Sequence, residues 1–238
     1  MAGEIVNGFI QAIQLIVTMN PEVVKITVLS LEISLAATFL SASFSVPLGA
    51  LIYYHDFFGK RALINVIQTL YALPTVIAGL FLFLMISNQG PLGAFGLLYT
   101  PYGMVIAQMI LVIPLIVGLT ISALSGIEPE MRNAIKSLGA SGVQSIMTLV
   151  SEARFAILAA VILGFGRAIS EVGAAMIIGG NIRGYTRVLT TAISLETSIG
   201  DFAFAIALGI ILLGVAVIVN VGLNLVQSGS VWKNSWTS

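Results

Sequence analysis

The chain of 238 residues has no cysteine, one histidine and only 20 charged side chains, 10 basic and 10 acidic. Without cysteine there are no disulfides, no thiolate metal ligands and no thiol nucleophile. Charged residues make up 8% of the chain, against about 25% in an ordinary soluble domain, too few to cover the surface of a water-soluble fold of this size. A cytoplasmic globular enzyme, a disordered chain and a nucleic-acid binder with a basic face are therefore excluded. The histidine, His55, stands beside Asp56 in a loop, where solvation accounts for it. The sequence contains no GxxxxGK phosphate loop, no HExxH and no His-Cys cluster, so it provides neither a Walker A site for ATP nor a metal centre. What is abundant is apolar: 58% hydrophobic residues and a mean hydropathy of +1.07. This is the composition of an all-α, polytopic membrane protein.

A hydrocarbon core about 30 Å thick is crossed by about 20 apolar residues at 1.5 Å each. Five stretches meet that length: 26–54, 62–86, 104–124, 155–179 and 202–226. The N-terminal stretch 3–20 is apolar but short, and Glu4, Asn7, Gln11 and Gln14 interrupt it. It reads as an interfacial amphipathic helix, with a sixth span as the alternative, and it lacks the basic start of a signal peptide. Lys60, Arg61, Arg132, Lys136, Arg154 and Lys233 fall on one side of this topology, and Lys25, Arg183 and Arg187 on the other. The excess of cations marks the cytoplasmic side, so the C-terminus and the loop after the third span are expected in the cytoplasm. Trp232 and Trp236 suit an interfacial belt there, with a disordered tail as the alternative.

That loop, 127–154, is patterned beyond a plain connector. Pro129 suits a first helical turn, with Glu128 and Glu130 at the positive end of the helix dipole. Met131, Ala134, Ile135 and Leu138 follow at helical spacing, and Gly139 stands where a left-handed C-terminal cap belongs. Ser141 and Gln144 form a capping-box pattern, after which Val143, Ile146, Met147 and Val150 repeat the apolar stripe. Two short amphipathic helices joined at a glycine would make either a surface hairpin packed on its own spans or a docking knob for a cytoplasmic partner.

The segment Asn133-Ala134-Ile135-Lys136-Ser137-Leu138-Gly139-Ala140-Ser141 resembles the coupling-helix signature of ABC importer permeases, which begins Glu-Ala-Ala and ends Leu-Gly-Ala-Ser. The resemblance covers nearly the whole chain. Residues 34–51 look like the first core helix, Leu73-Pro74 through Gly79 like the Leu-Pro segment of the second, and Gly90-Pro91-Leu92-Gly93 like the outer loop before the third. Asn133 replaces the usual Glu, and Ser151-Glu152 stands where Leu-Pro normally follows. The run from Phe165 to Ala174 is similar to the sulfate, molybdate and tungstate permeases, as are Gly179-Gly180-Asn181 and the run from Gly184 through Thr186 and Arg187 to Leu189. Compactness of the chain brings it nearest the tungstate members.

Three charges lie within expected spans: Glu32, Arg167 and Glu171. A mid-bilayer charge costs about 2.5–3.5 kcal/mol on insertion scales and faces protein or water. Arg167 and Glu171, one turn apart, are spaced to pair; such a pair either locks the fourth span to its neighbours or, with Ser170, lines an anion path. Glu32 is expected to answer Lys25 or a polar neighbour near the outer interface. Gly173, Gly179, Gly180 and Gly184 loosen the outer end of the fourth span, for pore lining or for close packing. Pro47 and Pro74 are expected to kink the first two spans, with Pro74 the better gate candidate. Ala37, Ser41, Ser45 and Gly49 form a small-residue face that serves either the protomer core or a dimer seam. Asn220 and Asn224 share a face of the fifth span, suited to interhelical hydrogen bonds.

The resemblance implies a type I permease fold and the transmembrane subunit of a bacterial or archaeal oxyanion importer. It implies a homodimer in the inner membrane, two ATPase subunits carrying ATP and Mg on the cytoplasmic side, and an extracytoplasmic oxyanion-binding protein. ATPase coupling would fall on Glu130, Asn133, Ala134, Ile135, Leu138, Gly139, Ala140 and Ser141. The path or gate would fall on Pro74, Arg167, Ser170, Glu171, Gly173, Gly179, Gly180, Asn181, Thr186 and Arg187. The chain itself is expected to hold no cofactor and to be no enzyme. Tungstate and molybdate lead as substrates, with sulfate as the alternative. Two other classes compete. An intramembrane enzyme would carry a catalytic constellation at depth, yet Asp56 and Asp201 lie outside the spans or at their edge. An ion-coupled transporter would show inverted repeats, and none is convincing here.

Overall fold

The structure is a computed structural model that describes residues 2–234, with side chains described over 7–226 apart from Lys136. Trp232, Lys233 and Trp236, expected at an interface, lie outside the described side chains. The described residues fold into helices and turns. In chain order these are α1 (Ala2–Val17), α2 (Pro21–Tyr54), α3 (Lys60–Thr69), α4 (Thr75–Ile86), α5 (Pro101–Ser125), α6 (Pro129–Ser137), α7 (Gly142–Glu152), α8 (Arg154–Ile169), α9 (Gly173–Gly179), α10 (Leu189–Ile199) and α11 (Phe202–Asn234).

Three helices are long and apolar enough to cross a membrane unbroken: α2, α5 and residues Phe202–Val226 of α11. Two more spans arise only as bent pairs, α3 with α4 at 99° and α7 with α8 at 70°. The span 62–86, expected to kink at Pro74, is broken outright at Leu73-Pro74, because Pro74 has no amide proton to donate and restricts the residue before it. The expected span 155–179 is also not one helix: α8 stops at Ile169, and α9 starts afresh at Gly173. Pro47, by contrast, sits inside the continuous α2.

Polar caps set the starts of the long helices, several residues ahead of the apolar runs in α2 and α5 and level with the run in α11. The Asn20 carboxamide accepts from the amides of Glu22 (3.0 Å) and Val23 (3.3 Å), with Pro21 at the first helical position. Thr100 accepts from Gly103 at the start of α5, and Asp201 from Phe204 at the start of α11. Each side chain satisfies amides that have no partner within the helix.

The central packing is α2 on α5. Ala37, Ser41, Ser45 and Gly49 are all buried, so the small-residue face serves the protomer core. At Gly49 the approach is so close that a Cβ would lie 2.9 Å from the Val117 carbonyl oxygen and from Thr120. The Ser45 hydroxyl donates to the Ile113 carbonyl at 3.3 Å, and Thr38 donates back to Ser34 at 2.7 Å. Small side chains bring the backbones together, and the Ser45 and Thr38 hydroxyls find carbonyl acceptors, whereas the buried Ser41 hydroxyl has none among the described residues.

α1 is about 24 Å long at 1.5 Å per residue, short of a full crossing. It turns Gly8, Ala12 and Leu15 inward, Gly8 lying 3.6 Å from Ile206 of α11 at its would-be Cβ and Leu15 against the cluster of Val23, Ile26 and Leu208. Its exposed surface is divided between a polar stripe (Asn7, Gln11, Gln14, Thr18) and an apolar one (Phe9, Ile10, Ile13, Val17). α10, for which the hydropathy pattern gave no span, packs Leu189 and Ala192 into the same cluster.

Candidate functional site

At one end of the bundle, α5 leads through a short turn into the α6–α7 hairpin. Gly139 has φ +73°, the left-handed conformation that a side chain disfavours. Ser141 and Gln144 close the capping box in both directions, the Ser141 amide donating to the Gln144 carboxamide at 2.8 Å and the Gln144 amide to the Ser141 hydroxyl at 3.4 Å. Ile135 and Leu149 anchor the hairpin, buried with Ala50, Leu124, Ala153 and Ile157 at the ends of α2, α5 and α8. Arg132 stacks 5.0 Å from the centre of the Tyr53 ring, which Lys60 approaches from α3 at 5.9 Å.

The stripes read from the sequence do not all point inward. Ile135 does, whereas Leu138 is 86% exposed, and Met131, Val143 and Met147 are exposed with it. Glu130, Asn133, Ala134, Gly139 and Ser141 are likewise on the surface, and Ala140 is half-buried. Leu149, the deepest anchor of α7, was not part of the stripe read from the sequence; only packing against Ala50 and Leu124 separates it from Val150. An apolar tip without a partner in this chain thus stands on a rigidly capped hinge. The 70° bend at Ala153 carries α7 straight into α8.

The second cluster lies near the middle of the bundle. Ala168 packs with Val112, beside the midpoint of α5, and with Ala42 of α2. Here the Arg167 guanidinium meets the Glu171 carboxylate at 3.0 Å. The Glu171 side chain is 1% exposed and that of Arg167 31%. The other Glu171 oxygen accepts the Ala174 amide at 2.9 Å, and Thr190 of α10 donates to the Glu171 carbonyl at 2.6 Å. Glu171 therefore caps α9, ties down α10 and neutralises Arg167 at once. Ser170 is exposed and its hydroxyl donates to Gly166 at 2.8 Å.

The two helix breaks meet at this level. A Cβ on Gly173, the first residue of α9, would lie 2.7 Å from the Thr75 hydroxyl and 2.9 Å from Val76 at the start of α4. One residue before Thr75 stands Pro74. Pro74, Arg167, Ser170, Glu171 and Gly173 are thus brought together.

Gly179, Gly180, Asn181, Thr186 and Arg187 are placed elsewhere, in the turn from α9 to α10 at the opposite end of the bundle. Gly179 abuts Met104 near the start of α5, and Gly180 and Asn181 both take positive φ, +67° and +52°. The buried Thr186 hydroxyl donates to the Gly179 carbonyl at 2.5 Å and accepts the Ile182 amide at 3.0 Å. The Asn181 carboxamide donates to the Thr191 carbonyl at 3.2 Å. Arg187 lies 3.1 Å from Glu196 of α10 and 3.8 Å from Glu22 of α2, and Arg183 makes a two-pronged pair with Glu22. The Glu22 carboxylate holds the Arg183 guanidinium above its ordinary pKa. Glu22 escaped sequence reasoning because it lies 161 residues from Arg183, and Glu196 because it meets Arg187 only through the fold of the turn into α10, nine residues on and off any helical repeat. Glu32, one of the three charges expected inside the membrane, is exposed on α2 beside a cavity of about 600 Å³ that Lys25 also lines. Among the described residues no three acidic or histidine side chains gather as a metal site.

Unbroken spans thus alternate with broken ones, and a capped hairpin projects from one end. The chain belongs to the family of binding-protein-dependent transport system inner membrane components, whose model matches residues 45–229. It is 43% identical to the tungstate uptake system permease protein TupB of Peptoclostridium acidaminophilum, over 91% of this chain and 95% of that protein. It is 41% identical to a probable anion ABC transporter permease protein of Haloferax volcanii, over 83% of this chain and 87% of that one. The sulfate transport system permease protein CysT of Salmonella typhimurium is more distant, at 29% over 89% and 79%.

Proposed function

We propose that this chain is the membrane-spanning subunit of an ATP-driven importer for a tetrahedral oxyanion, tungstate or molybdate in the first place. It works as a homodimer, with two ATPase subunits bound to the α6–α7 hairpins and an extracytoplasmic binding protein on the opposite face. The cations Lys60, Arg61, Arg132, Lys136 and Arg154 support a cytoplasmic hairpin and, with it, a cytoplasmic C-terminus. The observation that carries the reading is the hairpin itself: Leu138, Val143 and Met147 exposed on a hinge held rigid by Gly139 and the Ser141 capping box.

The mechanism follows from how that hinge is attached. Closure of the ATPases on ATP draws the two hairpins together. Because α5 enters the hairpin and α7 bends directly into α8, the movement reaches the mid-depth cluster at the far end of α8. There the chain is already broken at Pro74 and at Ser170, so rotation costs little helix hydrogen bonding. Parting of the breaks opens the path outward; hydrolysis returns it inward. Arg167, half-neutralised by Glu171, offers a dianion attraction without a deep well, which suits passage rather than retention. Selectivity falls to the binding protein.

The test is co-purification and uptake. Wild type retains the ATPase subunit and supports ATP-dependent uptake with its binding protein; tungstate or molybdate in excess competes and sulfate competes less. Leu138→Asp combined with Met147→Asp alters only exposed side chains, so the protein still elutes as a single species in detergent, but the ATPase is lost and uptake stops. Retention of both association and uptake in that variant refutes the coupling assignment, and stronger competition by sulfate refutes the substrate.

A further inference from the structure

α3 carries three distinct faces. At 100° per residue, Ile64, Ile67 and, beyond the helix end, Tyr71 share one side. They pack with Ile52 of α2 and Val117 and Ile121 of α5. The Tyr71 hydroxyl fills a notch made by Gly118, where a Cβ would lie only 1.6 Å from it. The remaining surface is exposed, and it is not uniform. Leu63, Val66 and Leu70 form an apolar stripe, and Arg61, Asn65, Gln68 and Thr69 form a polar one beside it.

The packing fixes the depth. Val117 and Ile121 lie eight and four residues from the end of α5 at Ser125, about 12 and 6 Å inside it at 1.5 Å per residue. Side-chain amides at that depth are not tolerated against hydrocarbon. Leu63, Val66 and Leu70 suit lipid; Asn65 and Gln68 do not. α3 also ends one turn before the Leu73-Pro74 break, where the chain bends by 99° into α4, so its polar stripe leads from Arg61, next to the end of α2 where Lys60 bonds the Tyr53 carbonyl, toward the break whose far side meets Gly173.

Resting on the function proposed above, we infer that the Arg61–Asn65–Gln68 stripe of α3 is the cytoplasmic wall of the oxyanion path, the surface a dianion meets after it passes the Pro74 break. Asn65 and Gln68 offer amide hydrogens to the anion. The Thr69 hydroxyl is turned to its own backbone, donating to the Asn65 carbonyl at 2.8 Å. Neutral donors let the anion leave, while a buried cation would retain it. Arg61 stands at the mouth, where water and salt screen its charge.

The absence of cysteine makes the test direct, because any thiol introduced is the only one in this chain, and the wild-type complex treated alike reports any thiol of the partner subunits. Asn65→Cys, Gln68→Cys, Val66→Cys and Leu70→Cys are made separately in the complex with ATPase and binding protein and reconstituted in liposomes. A membrane-impermeant anionic thiosulfonate is applied from the hairpin side. Thiols at 65 and 68 are expected to react at least tenfold faster than those at 66 and 70, since reaction requires hydrated thiolate. Their modification stops uptake, and excess tungstate during turnover slows it several-fold. Equal rates at all four positions, no reaction at 65 and 68, or full uptake after modification each overturns the inference. Labelling rates are read whether or not a variant transports. Failure of the cysteine-free wild type to take up any oxyanion sinks the function instead.

Discussion

Arg167 and Glu171 provide the sharpest quantitative test, because the pair is unequal. Arg167→Ala strands a carboxylate whose side chain is 1% exposed, with the Ala174 amide as its remaining partner. Removing one member of a buried pair costs about 3–5 kcal/mol. Arg167 is itself 31% exposed, so the lower end, about 3 kcal/mol, applies. Glu171→Ala leaves a cation that can hydrate through its exposed side, but it also removes the cap of α9, worth about 1 kcal/mol. Both single variants should therefore lose about 3 kcal/mol, and the double variant, which strands no charge, about 2 kcal/mol, well short of the sum. For a chain of this length 1 kcal/mol corresponds to roughly 2–4 °C in Tm. Each single variant should thus melt about 6–12 °C below wild type, read as loss of the monodisperse elution peak on heating in detergent. Uptake should fall further in Arg167→Ala than in the double variant. Additivity within about 0.5 kcal/mol would refute the coupling, and equal transport defects in Arg167→Ala and the double variant would assign Arg167 a direct role with the anion.

Two further outcomes follow from the packing. Gly118→Ala should lower Tm by an overpacking cost of about 1–3 kcal/mol, since its Cβ would collide with the Tyr71 hydroxyl; Tyr71→Ala in the same chain should recover part of the loss, and no recovery would show that the collision is not the cause. In the outer ion network, Arg187→Ala should destabilise by about 2–3 kcal/mol and Arg183→Ala by at most about 1 kcal/mol, because the Arg187 side chain is 12% exposed and that of Arg183 72%. The same melting assay ranks them, and a reversed order would refute the argument from burial.

Much of the α6–α7 hairpin was legible because its signals are local. Proline at the first turn, glycine at the cap and a Ser-Gln pair three apart each act within one turn of backbone, and Gly139 and Ser141 stand in those roles. What could not be read is which half of each apolar stripe turns inward: Ile135 and Leu138 are equally apolar, and only the ends of α2, α5 and α8 decide that one is covered. The mid-depth pair was legible by its spacing, Arg167 and Glu171 being one turn apart. Its capping of Ala174 was not, since hydropathy runs on smoothly through residues 155–179 and hides the break. The outer residues illustrate the opposite limit. Thr186 and Arg187 look like anion-path candidates in a motif, yet Arg187 is held by Glu196 across the turn into α10 and by Glu22 from the remote start of α2.

The sequence by itself determined that this chain lives in a membrane, where its three unbroken spans fall to within a few residues, and where a capped hinge lies between them. Those properties follow from transfer free energy and from short-range backbone geometry, each of which is a sum over neighbours in the chain. Tertiary structure alone decided that the small-residue face of α2 closes on α5, that the breaks at Pro74 and Ser170 meet, and that α3 divides its exposed surface between an apolar and a polar stripe. Those depend on which helices lie side by side. Pairing of that kind is governed by shape and by the satisfaction of polar groups across segments more than a hundred residues apart, as in Ser30 with Leu189, and no local pattern encodes it.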